Sequence, residues 1–472
     1  MGKGKTTAII NYVNENLRAD KNKRFIIVTP YLDEIEERLS KETGLSYPIA
    51  DEDKSKSKDI LNYLQKGKSV ICTHSLLSRF SDIHRQYIAQ YGYDLIIDEL
   101  PDNLITNLTS RNSYAVNNGT SGNFYEKISI SDIKILKSSN AINIDSNNLN
   151  KVSWLDDDYN EGTFLTFANT LKVKDVYLYG DKQLIAFMKF DIWQCFDNVT
   201  ICTYRFKNTL GELYFKAYDV ELDMYHIENI DGKSVFVKGY RLEYPIGLER
   251  LLLYEAKQLK SKNKISKINY NNFNDDDDKI TLSKSFFDIA INGNDKKSNK
   301  NRKALNKLKK QSGNYVNTFL GIKNQETMNL IMWTTFKDYK NEFINRYLPE
   351  IIENKTTGSH IDLFVSNNAR ATNKYSDRTA VLYLCEINMD SNIANFLSTM
   401  FKSKNLDINL TELKDDFTLS CFLQYLWRSN IRKVKSTLKI NVYLPSPRIR
   451  KLFKVWLMEG LQKINNHEQA NA

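Results

Sequence analysis

Short apolar runs alternate with helical segments over the first hundred residues, and no other feature constrains the fold as tightly. Phe25–Thr29 (FIIVT), Ser69–Thr73 (SVICT) and Asp94–Ile97 (DLII) have the length and β-branched content of buried strands. Residues 6–18 and 32–42 carry apolar residues at helical spacing. Strands apolar on both faces and separated by helices predict a parallel sheet covered on both sides. Residues 103–165, rich in Asn and Ser, read as an insertion with short strands. Order resumes over 175–206 as VYLYG, a helix, then VTICTY. A polar segment near 262–312 holds the acidic run Asp275–Asp278 and the basic run KKSNKNRKALNKLKK. A second alternating series follows: IMWTTF, a helix near 338–348, HIDLFVS, AVLYL, a helix near 417–430, LKINVYL and a terminal helix. The expectation is an α/β protein of two halves, 1–245 and 246–472, the second with a basic C-terminal region.

Composition narrows the class. At 472 residues, one ordinary core is too small a unit. No stretch of about 18 apolar residues is present, so no membrane span is expected. MGKGKTT is not followed by an apolar signal segment. Cys72, Cys195, Cys202, Cys385 and Cys421 form no C-x-x-C pair, which argues against a disulfide framework or zinc ribbon and fits a reducing cytoplasm. A net charge of +10 favours a polyanionic partner.

Gly2-Lys3-Gly4-Lys5-Thr6-Thr7 matches the end of the phosphate-loop pattern G-x-x-x-x-G-K-[ST]. Gly2 and Gly4 would let the backbone approach phosphates, and amides at the helix start, with Thr7 among them, would cradle the anion. Lys5 would neutralise the β- and γ-phosphates of ATP, and Thr6 would ligate Mg²⁺. The pattern's first glycine falls before Met1 in this numbering. The expectation is therefore either a start internal to a longer frame or a cradle reduced to its second half. Asp94-Leu95-Ile96-Ile97-Asp98-Glu99 supplies the acidic partner. A strand ending in two carboxylates presents them at the carboxyl edge of a parallel sheet, where ligands bind. Asp98 would hold Mg²⁺, and Glu99 would polarise the attacking water. Thr29 and Thr73 end the neighbouring strands, where small hydroxyls bind nucleic-acid phosphates.

Taken together, these residues resemble helicase superfamily 2, the DExx-box ATPases, and among them the helicase-like replication proteins of phages of Gram-positive bacteria. Gly4-Lys5-Thr6 resembles motif I, Phe25–Pro30 motif Ia, and Asp98-Glu99-Leu100-Pro101 motif II. FDNVTICTYRF at 196–206 resembles the segment holding motif III, with Thr203 the coupling hydroxyl. MWTTFK at 332–337, with Thr334, resembles motif IV. NARATNKY at 368–375, with Arg370, Thr372 and Asn373, resembles motif V, and QYLWRSNIR at 424–432 resembles motif VI. The last departs from Gln-x-x-Gly-Arg-x-x-Arg: Trp427 replaces the glycine, and the second arginine comes one residue late. The resemblance implies two RecA-like lobes closing over ATP and Mg²⁺, with Gln424, Arg428 and Arg432 serving the transferred phosphoryl. Arg428 keeps the spacing of the arginine finger, and Arg432 lies four residues on, within reach of the same helical face. It also implies a nucleic-acid partner, DNA above RNA, and phage or host replication proteins.

Further cations lie at Lys374, Arg378, Lys433, Lys435, Lys439, Arg448, Arg450, Lys451 and Lys454, and Trp333, Tyr375, Trp427 and Trp456 could stack on bases. The lysine run at 296–310 reads as a solvated face. Two other readings compete with a motor. A terminase-like packaging ATPase would need a nuclease centre, for which Asp362, Glu386 and Asp390 are the carboxylates available. A catalytically impaired nucleic-acid-binding scaffold would be indifferent to loss of Lys5.

Overall fold

The computed structural model describes the chain except residues 1–3, 31, 51–54, 102, 110–127, 157, 160, 243, 255–259, 262–263, 266–280, 323–324, 354–357, 368–373 and 471–472. The acidic run Asp275–Asp278 lies outside the described residues. The chain forms two compact units. The first comprises Lys3–Arg241 with Met389–Leu413; the second contains Leu242–Asn388 and Lys414–Ala472.

The first unit is built on the parallel sheet that the alternation predicts. Its order is Val70–Thr73, Arg24–Thr29, Tyr93–Asp98, Asn198–Cys202, with every neighbouring pair parallel. Phe25, Ile27, Ile71 and Ile96 pack beneath Ile9, Ile10 and Val13 of the helix Lys5–Ala19. This helix has its apolar residues on one side and no acidic residue in its first turn. Tyr12 closes that layer edge-on against Phe25 and against Phe236 of the hairpin Tyr225–Lys238.

The insertion is larger than the residue pattern suggests. A five-stranded antiparallel sheet runs Ile105–Asn107, Gln183–Met188, Lys174–Tyr179, Lys151–Trp154, Ile142–Asp145. Val176–Tyr179 therefore belongs to the insertion, and Gln183–Met188, expected as helix, is a strand. Ile133, Leu136, Phe167 and Leu171 cover one face. Phe396, from the helix Ser391–Ser403, packs on Tyr177 and Phe187. This contact explains why a segment some 200 residues downstream joins the first unit.

Lys174 is an unusual member of that sheet. It is 2% exposed and donates to the Thr106 hydroxyl at 3.1 Å and the Asn103 carbonyl at 3.3 Å. Burial pushes its amine down to about 7. Between about pH 7 and the ordinary lysine range, the unfolded chain then holds a proton that the folded chain does not, so stability rises with pH across that window. Thermal melts of the protein should show Tm rising over this interval, and Lys174→Met should flatten the rise. An unchanged slope in the variant would sink the assignment.

The second unit repeats the parallel theme, with strand order Leu251–Leu253, Ile440–Tyr443, Ala380–Tyr383, Ile331–Thr334. Trp333, Leu382 and Val442 are fully buried on it. The protein is thus α/β, with two parallel four-stranded sheets flanked by helices. Among the described residues, no helix is long and apolar enough to cross a membrane.

Candidate functional site

The site forms where the first sheet's strands end. Thr29 pairs with Thr73, and Asp98 pairs with Cys202, so these strand ends and Thr203 share one carboxyl edge. The helix Lys5–Ala19 starts above it. Gly4 caps that helix in the left-handed region, φ 76° and ψ 26°, and its carbonyl accepts from Ala8 at 2.8 Å. That backbone sign favours glycine, and a Cβ there would also displace the Ser234 hydroxyl, 2.7 Å away. Lys5 and Thr6 follow in the first turn, where amides without intrahelical partners favour an anion.

Thr6 Oγ1 lies 2.9 Å from Asp98 Oδ2 and 3.2 Å from Glu34 Oε1. The other Glu34 oxygen accepts from the Thr29 hydroxyl at 3.4 Å. One hydroxyl holds one proton, so it can donate to only one of the two carboxylates facing it. Hard oxygen donors left short of protons suit Mg²⁺, and Thr6, Asp98 and Glu34 are the residues that would hold it. Asp98 is 5% exposed. Burial pushes its carboxyl up to about 6; Lys5 opposes the rise, Glu34 and Glu99 add to it, and the Thr6 hydroxyl opposes it. Glu99, half-buried, sits at φ 68°, a left-handed conformation unusual outside glycine, and donates its backbone N–H to the Cys202 carbonyl at 2.9 Å. Arg38 donates to the Thr7 hydroxyl at 2.8 Å and to Glu42 at 2.9 Å. Glu34 and Arg38 escaped the reading of the residues. Their only signal is that they follow the strand Arg24–Thr29 at helical spacing, one turn apart.

Other expected residues are placed differently. Gly2, Arg370, Thr372 and Asn373 lie outside the described residues. Thr334 is fully buried at its strand end, with its hydroxyl 3.4 Å from the Thr335 carbonyl. The helix Leu410–Leu426 stops before the arginines, so Arg428 and Arg432 do not share a helical face. Gln424 is exposed on that helix, and Arg432 is exposed on a following 3-10 turn. Arg428 is 4% exposed and donates to the carbonyls of Ser366 and Asn367 at 3.0 and 3.1 Å. Removing it would leave two half-buried carbonyls without a charged donor. Arg428→Ala should cost about 2 kcal/mol and lower Tm, and Arg432→Ala, at an exposed position, should lower it less. Calorimetry on the two variants checks this.

The remaining basic and aromatic candidates belong largely to the interior or to ion pairs. Trp333, Tyr375, Trp427 and Trp456 are buried, which removes them as base-stacking surfaces. Arg448 bridges Glu386 and Asp415, Lys374 pairs with Asp362, and Lys433 pairs with Asp377. Arg378 is buried and donates to the Asp362 carbonyl. Asp390 caps the helix Ser391–Ser403 and accepts from Asn107. Among the described residues, no group of three or more His, Cys, Asp or Glu gathers to hold a metal. The nuclease centre a terminase-like protein needs is therefore not assembled by these carboxylates.

Comparison with known proteins adds kinship without a function. Residues 257–457 match the family described as the YonV C-terminal Rossmann-like domain. The chain is similar to an SPbeta prophage-derived uncharacterized protein, YonV, of Bacillus subtilis (strain 168). The two are 28% identical over 480 residues, covering 97% of each. Two solved structures are similar at lower levels. One, described as the structure of S. tokodaii Xpd4, has a TM-score of 0.43 at 12% identity, covering 95% of this chain and 91% of that one. The other, described as XPD_APO, has a TM-score of 0.40 at 10% identity, covering 96% and 98%.

Proposed function

We propose that this chain is an ATP-dependent nucleic-acid motor, a DNA helicase or translocase acting in phage or prophage replication. One observation carries the reading. Thr6, which follows the Gly4-Lys5 helix start, meets Asp98, at the end of an Asp-Glu strand, at 2.9 Å although 92 residues separate them. A hydroxyl and a carboxylate converging beside a lysine, at the carboxyl edge of a parallel sheet, is an arrangement that holds Mg²⁺ and a triphosphate.

Thr6, Asp98 and Glu34 would hold Mg²⁺, which would supply positive charge to the phosphates. The chain's own residues do the rest. Amides at the start of the helix Lys5–Ala19 and the Lys5 ammonium orient the phosphates. Glu99 accepts the proton of the attacking water at its carboxylate. Thr203, next to the backbone that receives the Glu99 N–H, links the state of this edge to the adjoining strand. Thr73, at the end of a neighbouring strand, and Arg370, Thr372 and Asn373 of the segment resembling motif V are the groups for the nucleic-acid backbone.

The test is ATP hydrolysis by the full chain with and without single-stranded DNA. Phosphate release should rise on adding DNA and require Mg²⁺. Hydrolysis indifferent to any nucleic acid would overturn the motor reading, and DNA binding without hydrolysis would leave the impaired scaffold in its place.

A further inference from the structure

The lysine run that reads as a solvated face lies on a 19-residue helix, Lys296–Asn314, in the second unit. It carries Lys296, Lys297, Lys300, Arg302, Lys303, Lys307, Lys309 and Lys310 and no acidic residue. Ser298, Asn301, Leu305, Leu308 and Ser312 are its buried side, and it packs on the helix Lys284–Asn292. Some of these cations are used internally. Arg302 donates to the Ala290 and Gly293 carbonyls, and Lys309 pairs with Glu342.

The other spacing is different in kind. Lys296, Lys300, Lys303, Lys307 and Lys310 recur at steps of 4, 3, 4 and 3. At about 100° per residue they fall within about 80° of arc, and at 1.5 Å per residue they span about 21 Å. Four of the five are exposed and Lys307 is half-exposed. Like charges at these spacings repel and weaken a helix. This helix bears several such pairs and no acidic residue. A linear polyanion lying along the exposed stripe would offset that repulsion. About 21 Å matches roughly six phosphates of one strand at about 3.4 Å per step.

We infer that the lysine stripe of the helix Lys296–Asn314 is a track for the phosphate backbone of nucleic acid. It is separate from the phosphate-loop edge and independent of base sequence. The inference rests on the nucleic-acid reading above and adds a surface that reading does not use.

The experiment compares three proteins by fluorescence polarisation with a labelled oligothymidylate, between about 50 and 200 mM salt. They are the full chain, the variant Lys300→Gln/Lys303→Gln/Lys307→Gln, and the control Lys134→Gln/Lys137→Gln/Lys172→Gln. The control removes the same charge from exposed positions of the insertion. The stripe variant should bind at least about tenfold more weakly at low salt, with a salt slope shallower by about 2, the share of three single-strand contacts. The control should bind like the full chain, and all three should melt alike. If the full chain binds and the two variants weaken equally or not at all, the stripe is not the track and the motor reading stands. If the full chain binds no nucleic acid, both fall. Binding to phosphatidylserine vesicles in place of the oligonucleotide would assign the stripe to a membrane surface and overturn the inference.

Discussion

Replacing Lys5 by Ala is expected to reduce ATP hydrolysis by at least about 10²-fold, the cost of removing one preorganised charge from a reacting phosphate. Lys5 sits in the first turn behind Gly4, close enough to Asp98 to act on its carboxyl electrostatically. No other lysine or arginine occupies that helix's first turn. Its loss removes the ammonium from both the nucleotide and the Asp98 side of the site. Phosphate release under saturating single-stranded DNA measures it, with nucleotide binding followed in parallel. An active Lys5→Ala variant would remove the phosphate loop from the mechanism and favour the scaffold reading.

Glu99→Gln should lower turnover by about 10²–10⁴-fold while nucleotide binding persists, because a general base acts on the water and not on ground-state affinity. A companion variant separates chemistry from structure. Glu99 holds φ 68°, a conformation that costs a non-glycine residue on the order of 1 kcal/mol. Glu99→Gly relieves that strain and keeps the backbone N–H that reaches the Cys202 carbonyl. It should therefore fold with equal or higher stability while hydrolysing as poorly as Glu99→Gln. Backbone strain retained at a carboxylate on a sheet edge is what a site selected for function shows. If Glu99→Gln turns over at the full rate, Glu99 is not the base.

The legible parts of the site were those encoded within a few residues. Gly4-Lys5-Thr6 announces a helix start, and DLIIDE announces a strand delivering carboxylates. Both depend on local spacing, and the structure brings Thr6 and Asp98 together. Glu34 was not legible, because its contact with Thr6 depends on where the helix after Thr29 packs. The insertion was only partly legible. Its strands are short, polar at their tips and broken by hairpins, so Gln183–Met188 looked helical until its pairing with Lys174–Tyr179 set its state. Arginine roles were the least legible. A guanidinium reads the same in sequence whether it lies at an exposed position, as Arg432 does, or is itself buried and donates to backbone carbonyls, as Arg428 does.

By itself, then, the sequence determined the alternation of buried strands and helices, and hence two parallel sheets, because period and strand length are properties of neighbouring residues. It also determined which groups end each strand. Only the tertiary structure decided which strand ends share an edge, that Glu34 joins Thr6 and Asp98, and that Phe396 belongs to the first unit. It alone turned the lysine run into an ordered stripe. These are outcomes of packing between residues tens to hundreds of positions apart, which no local pattern encodes.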